Sequence, residues 1–201
     1  MNPPRKRSVA RAPGRPRSSA SRAAILKAAY QILRERGFAG FTVEGVAARA
    51  GAGKATIYRW WQTKGTLAIE AFLVSVAPRL DSIPLTDSPI ADLRRHVHVA
   101  AMLYRGRVGQ LVRELIALGQ EDTETSRALR SDFVEPRRQA ALGALRRAQA
   151  TGEINPGIDI EVLSDALWGP IFHRLLVSRM PLDRGYIDKL LDLVLSGARK
   201  M

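Results

Sequence analysis

Residues 53–65 read GKATIYRWWQTKG, and the adjacent tryptophans in that run govern how the chain is understood. Neighbouring residues on a helix point about 100° apart, so Trp60 and Trp61 cannot both face the centre of one core. On a helix from Lys54 to about Trp61, Ile57 and Trp61 stand four apart and mark an inward side. Arg59, Ala55, Thr56 and Trp60 fall on the other side. Tyr58 lies on the flank, where its phenol reaches a phosphate while its ring still packs. Gly53 and Ala55 keep the start of this helix bare, so backbone N–H groups can approach a phosphate closely.

Just upstream, Thr42 can cap a helix whose apolar positions Val43, Val46, Ala47 and Ala50 share one face, and Gly51, Ala52 and Gly53 break it. Two short helices joined by a tight glycine-containing turn are the layout of a helix-turn-helix, in which the second helix enters the major groove. Before it, Ile25, Ala28, Ala29, Ile32 and Leu33 recur at helical spacing and Gly37 supplies a stop. After it, Thr63 can cap a fourth helix running through Leu67, Ala71 and Phe72 to Pro78.

Charge agrees with a nucleic-acid partner. The 201-residue chain carries a net +13, and residues 1–70 hold 14 Lys/Arg against the three acids Glu35, Glu44 and Glu70. That leaves +11 on the first third and +2 on the rest, a polarity that points to a polyanion for the first part only. Residues 1–20 hold six Lys/Arg, four prolines and almost no large apolar side chain, so they form an arm that cannot fold alone. Within it, PGRPR places Arg15 and Arg17 around a Gly-Arg-Pro centre like that of an AT-hook. Two readings stay open: arginines lying in a narrow A·T minor groove, or a basic tail adding long-range attraction.

Residues 21–73 resemble the DNA-binding domain of the tetracycline-repressor (TetR/AcrR) family. The resemblance rests on ILKAA and RGF in the first helix, TVEGVAARAG in the second, and KATIYRWWQTKGTL after it. It implies an all-α homodimer that binds a palindromic double-stranded DNA operator and leaves it when a small-molecule effector occupies a C-terminal helical domain. It also implies phosphate contacts at Thr42, Lys54, Tyr58 and Lys64, and base contacts at Thr56, Arg59 and Trp60. Where many members carry histidine and phenylalanine, this chain has Trp60 and Trp61. Two roles fit Trp60: packing on a thymine methyl or sugar, or bracing Tyr58.

The segment PRLDSIPLTDSP reads as a linker over 79–89, separating a DNA-reading unit at 21–78 from a second helical unit at 90–201. Ser88 with Pro89 opens the first helix of that unit, near 90–105, and further helices are expected near 107–119, 124–150, 159–179 and 184–197. Pro136 and the pair Gly169-Pro170 should kink or divide two of them. The last two helices are apolar over more than one stripe, which suggests that part of their surface meets a second copy across a two-fold axis. Met102, Tyr104, Trp168, Phe172 and His173 suit the lining of an effector cavity, and equally suit core positions.

Chemistry finds no footing in the residues. With no cysteine, thiolate zinc sites and disulfides are excluded. His96 and His98 stand two apart on a helix and cannot share a metal, and neither a His-Glu-x-x-His run nor a phosphate loop occurs. No enzyme activity, cofactor or metal is expected. Without an apolar signal segment or an apolar run of about 18 residues, a cytoplasmic protein with no membrane partner is expected. The alternative to a regulator is a DNA-compacting protein that binds without selectivity.

Overall fold

A computed structural model of the chain describes residues 19–81, 85–120 and 123–199. All regular structure among them is helical. Arg15 and Arg17, and the arm that holds them, lie outside the described residues.

The first four helices are α1 (Ser19–Arg36), α2 (Val43–Ala50), α3 (Lys54–Tyr58) and α4 (Lys64–Val76). Their limits follow local chemistry. Thr42 caps α2 by accepting from the Gly45 amide at 3.1 Å, and Gly51 ends it at φ 61°, a left-handed conformation that costs glycine little. Thr63 and Thr66 form a reciprocal capping box at the start of α4. α1 packs on both α2 and α4, burying Ile25, Ile32 and Leu33 against Val46 and Phe72 in a shared core.

The second half comprises α5 (Pro78–Asp81), α6 (Pro89–Leu103), α7 (Gly106–Leu118), α8 (Glu124–Ala128), α9 (Glu135–Ala150), α10 (Ile160–His173) and α11 (Arg184–Ser196). The expected linker therefore begins with a helical turn. Ser88 accepts from the Ala91 amide with Pro89 in the first turn of α6, and Asp159 caps α10 by accepting from the Glu161 and Val162 amides. α6 and α11 are joined by Arg94 to Asp192 at 2.6 Å and His98 to Asp188 at 2.9 Å.

The helix expected over 124–150 is divided into three parts. A π-helical turn, Leu129–Val134, lies between α8 and α9 with helical backbone on both sides, and Pro136, which lacks an N–H for the helical ladder, follows directly after it. Likewise Pro170 lies inside α10, and a second π-helical turn, Arg174–Ser178, follows it. Both irregular turns face cavities.

The two halves share one continuous core. Arg107 of α7 donates to the Arg34 carbonyl at 2.7 Å and to the Leu33 carbonyl at 3.1 Å, which satisfies the end of α1. Glu114 accepts from the Phe38 amide at 2.7 Å. On the other flank, α4 packs against α8 so closely that a Cβ on Gly65 would collide with the Thr125 side chain.

Candidate nucleic-acid interface and effector cavity

Trp61 is the anchor that the sequence predicts. Its side chain is buried, and its indole Nε1 donates to Glu70 on α4 at 2.5 Å. The same carboxylate is paired with Arg22 of α1, whose guanidinium lies 5.5 Å from the Trp60 ring centroid and 5.9 Å from that of Trp61. Residues from α1, α4 and the end of α3 thus meet in one charge-assisted cluster. This holds the short α3, which by itself is far below the length at which a helix is stable in water.

Trp60 takes the edge of the outward side rather than its middle. The regular span of α3 ends at Tyr58, yet the Arg59 amide still donates to the Ala55 carbonyl at 3.2 Å and the Trp61 amide to the Ile57 carbonyl at 3.0 Å, so the helical path runs on to Trp61. Trp60 is partly buried against the core, beside Trp61 at 6.2 Å between ring centroids, and borders a cleft with Arg22, Tyr30 and Glu70.

The other sequence-derived DNA residues among those described are exposed or partly so. Arg59, Tyr58, Ala55, Lys54 and Gly53 are exposed, Thr56 is partly so, and the inward neighbour Ile57 is buried. Thr42 is exposed at the start of α2, and its hydroxyl oxygen is already used for capping. Lys54 is paired with Glu44 at 3.2 Å across the α2–α3 turn, so a phosphate would have to draw it from that partner. The Glu44 carboxyl is held below its usual pKa by its own backbone amide, then by Lys54. Lys64 opens α4, exposed, with its ammonium 4.6 Å from the Phe38 ring centroid.

In the second half, α6, α9, α10 and the 129–134 turn enclose a cavity of about 290 Å³. Of the residues expected there, Tyr104, Trp168 and Phe172 line it. Two do not. Met102 is 68% exposed on the outer side of α6, and His173 is exposed at the end of α10, because the register of each helix turns those positions away. Phe133, Arg137, His96 and Ser164 line the wall without having been anticipated. For Phe133 and Arg137, a helix over 124–150 expected to break only at Pro136 carries no signal, since the π-helical turn at 129–134 changes which side chains face inward. The Arg137 guanidinium lies over the Phe133 ring at 4.2 Å and donates to the Phe133 carbonyl at 2.8 Å. Burial pushes the Tyr104 phenol pKa up, with the charge of Arg137 opposing it.

Comparison with known proteins places this architecture. Residues 83–194 match the family model described as tetracyclin repressor-like, C-terminal domain, and residues 25–71 match that of bacterial regulatory proteins, tetR family. The chain belongs to the TetR family. This TetR-family regulator is 39% identical over 177 residues to the uncharacterized HTH-type transcriptional regulator YdeS of Bacillus subtilis, covering 88% of this chain and 89% of that protein. It is 31% identical to the DNA-binding transcriptional repressor TetR of Mycobacteroides abscessus, over 86% of this chain and 90% of the other. Among solved structures, the TetR family transcription regulator SCO0332 superposes with a TM-score of 0.77 at 34% identity, over 90% of this chain and all (100%) of that one. The protein is accordingly an all-α, DNA-binding transcriptional regulator with an N-terminal helix-turn-helix. Among its described residues no helix is long and apolar enough to cross a membrane.

Proposed function

We propose that this TetR-family protein is a repressor that binds a palindromic operator as a homodimer and leaves it when a small molecule fills the aromatic cavity. The observation that carries the reading is the pairing of an exposed Arg59 with a buried, hydrogen-bonded Trp61 two residues on. An arginine can read a guanine edge only if its backbone is held still, and Trp61, Glu70 and Arg22 supply that restraint. Thr42, Lys54, Tyr58 and Lys64 then position the head on phosphates, Thr56 and Arg59 face base edges, and Trp60 braces the cluster from behind. The arm, with Arg15 and Arg17, adds attraction for the duplex. In this division, residues 21–78 read DNA, 79–89 connect, and 90–201 bind effector and partner.

Release has a physical route. Phe133 lines the cavity and also meets Phe72 of α4 edge-on, with ring centroids 5.7 Å apart. A ligand that displaces Phe133 pushes on α4, whose first turn carries Lys64 and abuts Thr125 of α8. The repressor named in M. abscessus supports the direction of control. The dimer is supported by apolar side chains left in solvent on or beside the last two helices, Val162, Val177, Met180 and Leu193.

Selection of bound duplexes from a random pool tests the whole reading. An inverted repeat is expected; recovery of sequences without any shared motif sinks it and leaves unselective DNA compaction.

A further inference from the structure

Where α6 turns into α7, a second cavity of about 240 Å³ shares Tyr104 with the first. Its wall holds Arg105, Arg113, Arg174 and Arg179, with no carboxylate among the lining residues. Among the described residues, Arg105, Arg113 and Arg179 have no hydrogen-bond or ion-pair partner. Arg174 is fixed in place, donating to the Pro181 carbonyl at 2.7 Å and lying 3.4 Å from the Tyr186 ring centroid. Arg179 holds φ 54°, a left-handed conformation that glycine would adopt with less strain. Four guanidinium groups around so small a space repel one another, and a multiply charged anion relieves that repulsion.

Tyr104 lines both cavities. It is 5% exposed, and its hydroxyl has no hydrogen-bond partner among the described residues. Each cavity is edged by one of the two π-helical turns, Phe133 of the first on the aromatic side and Arg174 of the second on the basic side. The first cavity is lined mainly by apolar and aromatic side chains, the charged side chains of the second are all arginines, and Tyr104 belongs to both walls.

We infer that the effector is an amphipathic phosphate, with an apolar body in the aromatic cavity and its phosphate held by Arg105, Arg113, Arg174 and Arg179. The inference rests on the aromatic cavity being the effector site. A phosphate suits the cluster better than a carboxylate, since a phosphate monoester carries about −1.5 to −2 at pH 7 and presents three acceptor oxygens to the forked arginine donors.

Calorimetric titration of the full chain with octyl phosphate, octanol and inorganic pyrophosphate tests it. Octyl phosphate is expected to bind at least about tenfold tighter than octanol, as losing charge-assisted bonds implies. Pyrophosphate is expected to compete with it. In the double variant R113Q/R179Q the preference for octyl phosphate should vanish while octanol binding stays, which also reports that the fold is intact. If that variant does not fold, Arg105→Gln, at an exposed position, should weaken octyl phosphate alone.

The outcomes separate cleanly. Equal binding of octyl phosphate and octanol keeps the aromatic cavity as effector site and overturns the phosphate site. Arginine-dependent binding of pyrophosphate without either octyl compound keeps the phosphate site and overturns the effector reading. A variant that binds octyl phosphate normally but loses affinity for random duplex DNA overturns the inference in favour of contact with the DNA backbone.

Discussion

Arg59 and Lys64 are both exposed, and in the proposed complex they do different work. A guanidinium can bond a guanine edge through two donors at once and discriminate by about 1–3 kcal/mol, whereas an ammonium meets phosphates of any sequence. Arg59→Ala is therefore expected to weaken operator binding while leaving random duplex nearly unchanged. Lys64→Ala should weaken both alike and lower the slope of log affinity against log salt by about 0.9 for each phosphate no longer neutralised. Titration of both variants against the two duplexes checks the split, and the same loss of selectivity in each would defeat it. At the start of α6, the buried Asp92 accepts from the Thr86 amide and hydroxyl, which holds its carboxyl below the usual carboxylate range, and Arg95 adds to the effect. A carboxyl with a depressed folded-state pKa contributes stability above its unfolded pKa and loses it as pH falls through the folded value. Asp92→Asn should thus lower the melting temperature at pH 7, and the gap to the unaltered protein should close below about pH 4. Melting curves across that range decide it.

α4 is the element that connects the reading head to the rest of the molecule. Its first residue, Lys64, faces DNA in the proposed complex, its middle carries Glu70 beneath Trp61, and Phe72 meets Phe133 at the cavity. Gly65 lets its first turn lie directly on Thr125, and a methyl there has no room. Gly65→Ala is expected to force α4 away from α8, costing about 1–3 kcal/mol as overpacking does and weakening operator binding. Thr125→Ala removes the two nearest atoms, so the double variant should regain part of both losses, a coupling that thermal unfolding and gel shift can measure. Additive losses would mean that the packing of Gly65 on Thr125 does not position α4. The boundaries of α2, α4, α6 and α10 were legible because a single side chain caps each: Thr42, Thr63, Ser88 and Asp159. The end of α3 was not. Tyr, Arg and Trp all tolerate a helix, and no residue there marks the point where the regular span stops at Tyr58 while i→i−4 bonds continue to Trp61.

At the scale of the molecule, Leu193 is 75% exposed and Val177 is 70% exposed near the chain's end, more apolar surface than an isolated subunit gains from showing. Light scattering at micromolar concentration should give twice the chain mass. Leu193→Arg should give a monomer with far weaker operator affinity, because two half-sites on one duplex are then no longer bound together. A monomeric unaltered protein would remove the dimer. The asymmetry of charge was plain in the residues, since +11 of the +13 falls before residue 71.

The residues by themselves determined that the chain is all-α, that 42–64 form a helix-turn-helix, and that Trp61 faces inward while Arg59 faces out. These follow from periodicity, caps and charge, which act over a few residues. The packing of Trp60 under Arg22, the pairing of Lys54 with Glu44, the cavity walls at Phe133 and Ser164 and the four-arginine cluster were decided only by tertiary structure. Each depends on side chains brought together from different helices, and Phe133 and Arg174 depend also on the two π-helical turns, whose register no local rule carries.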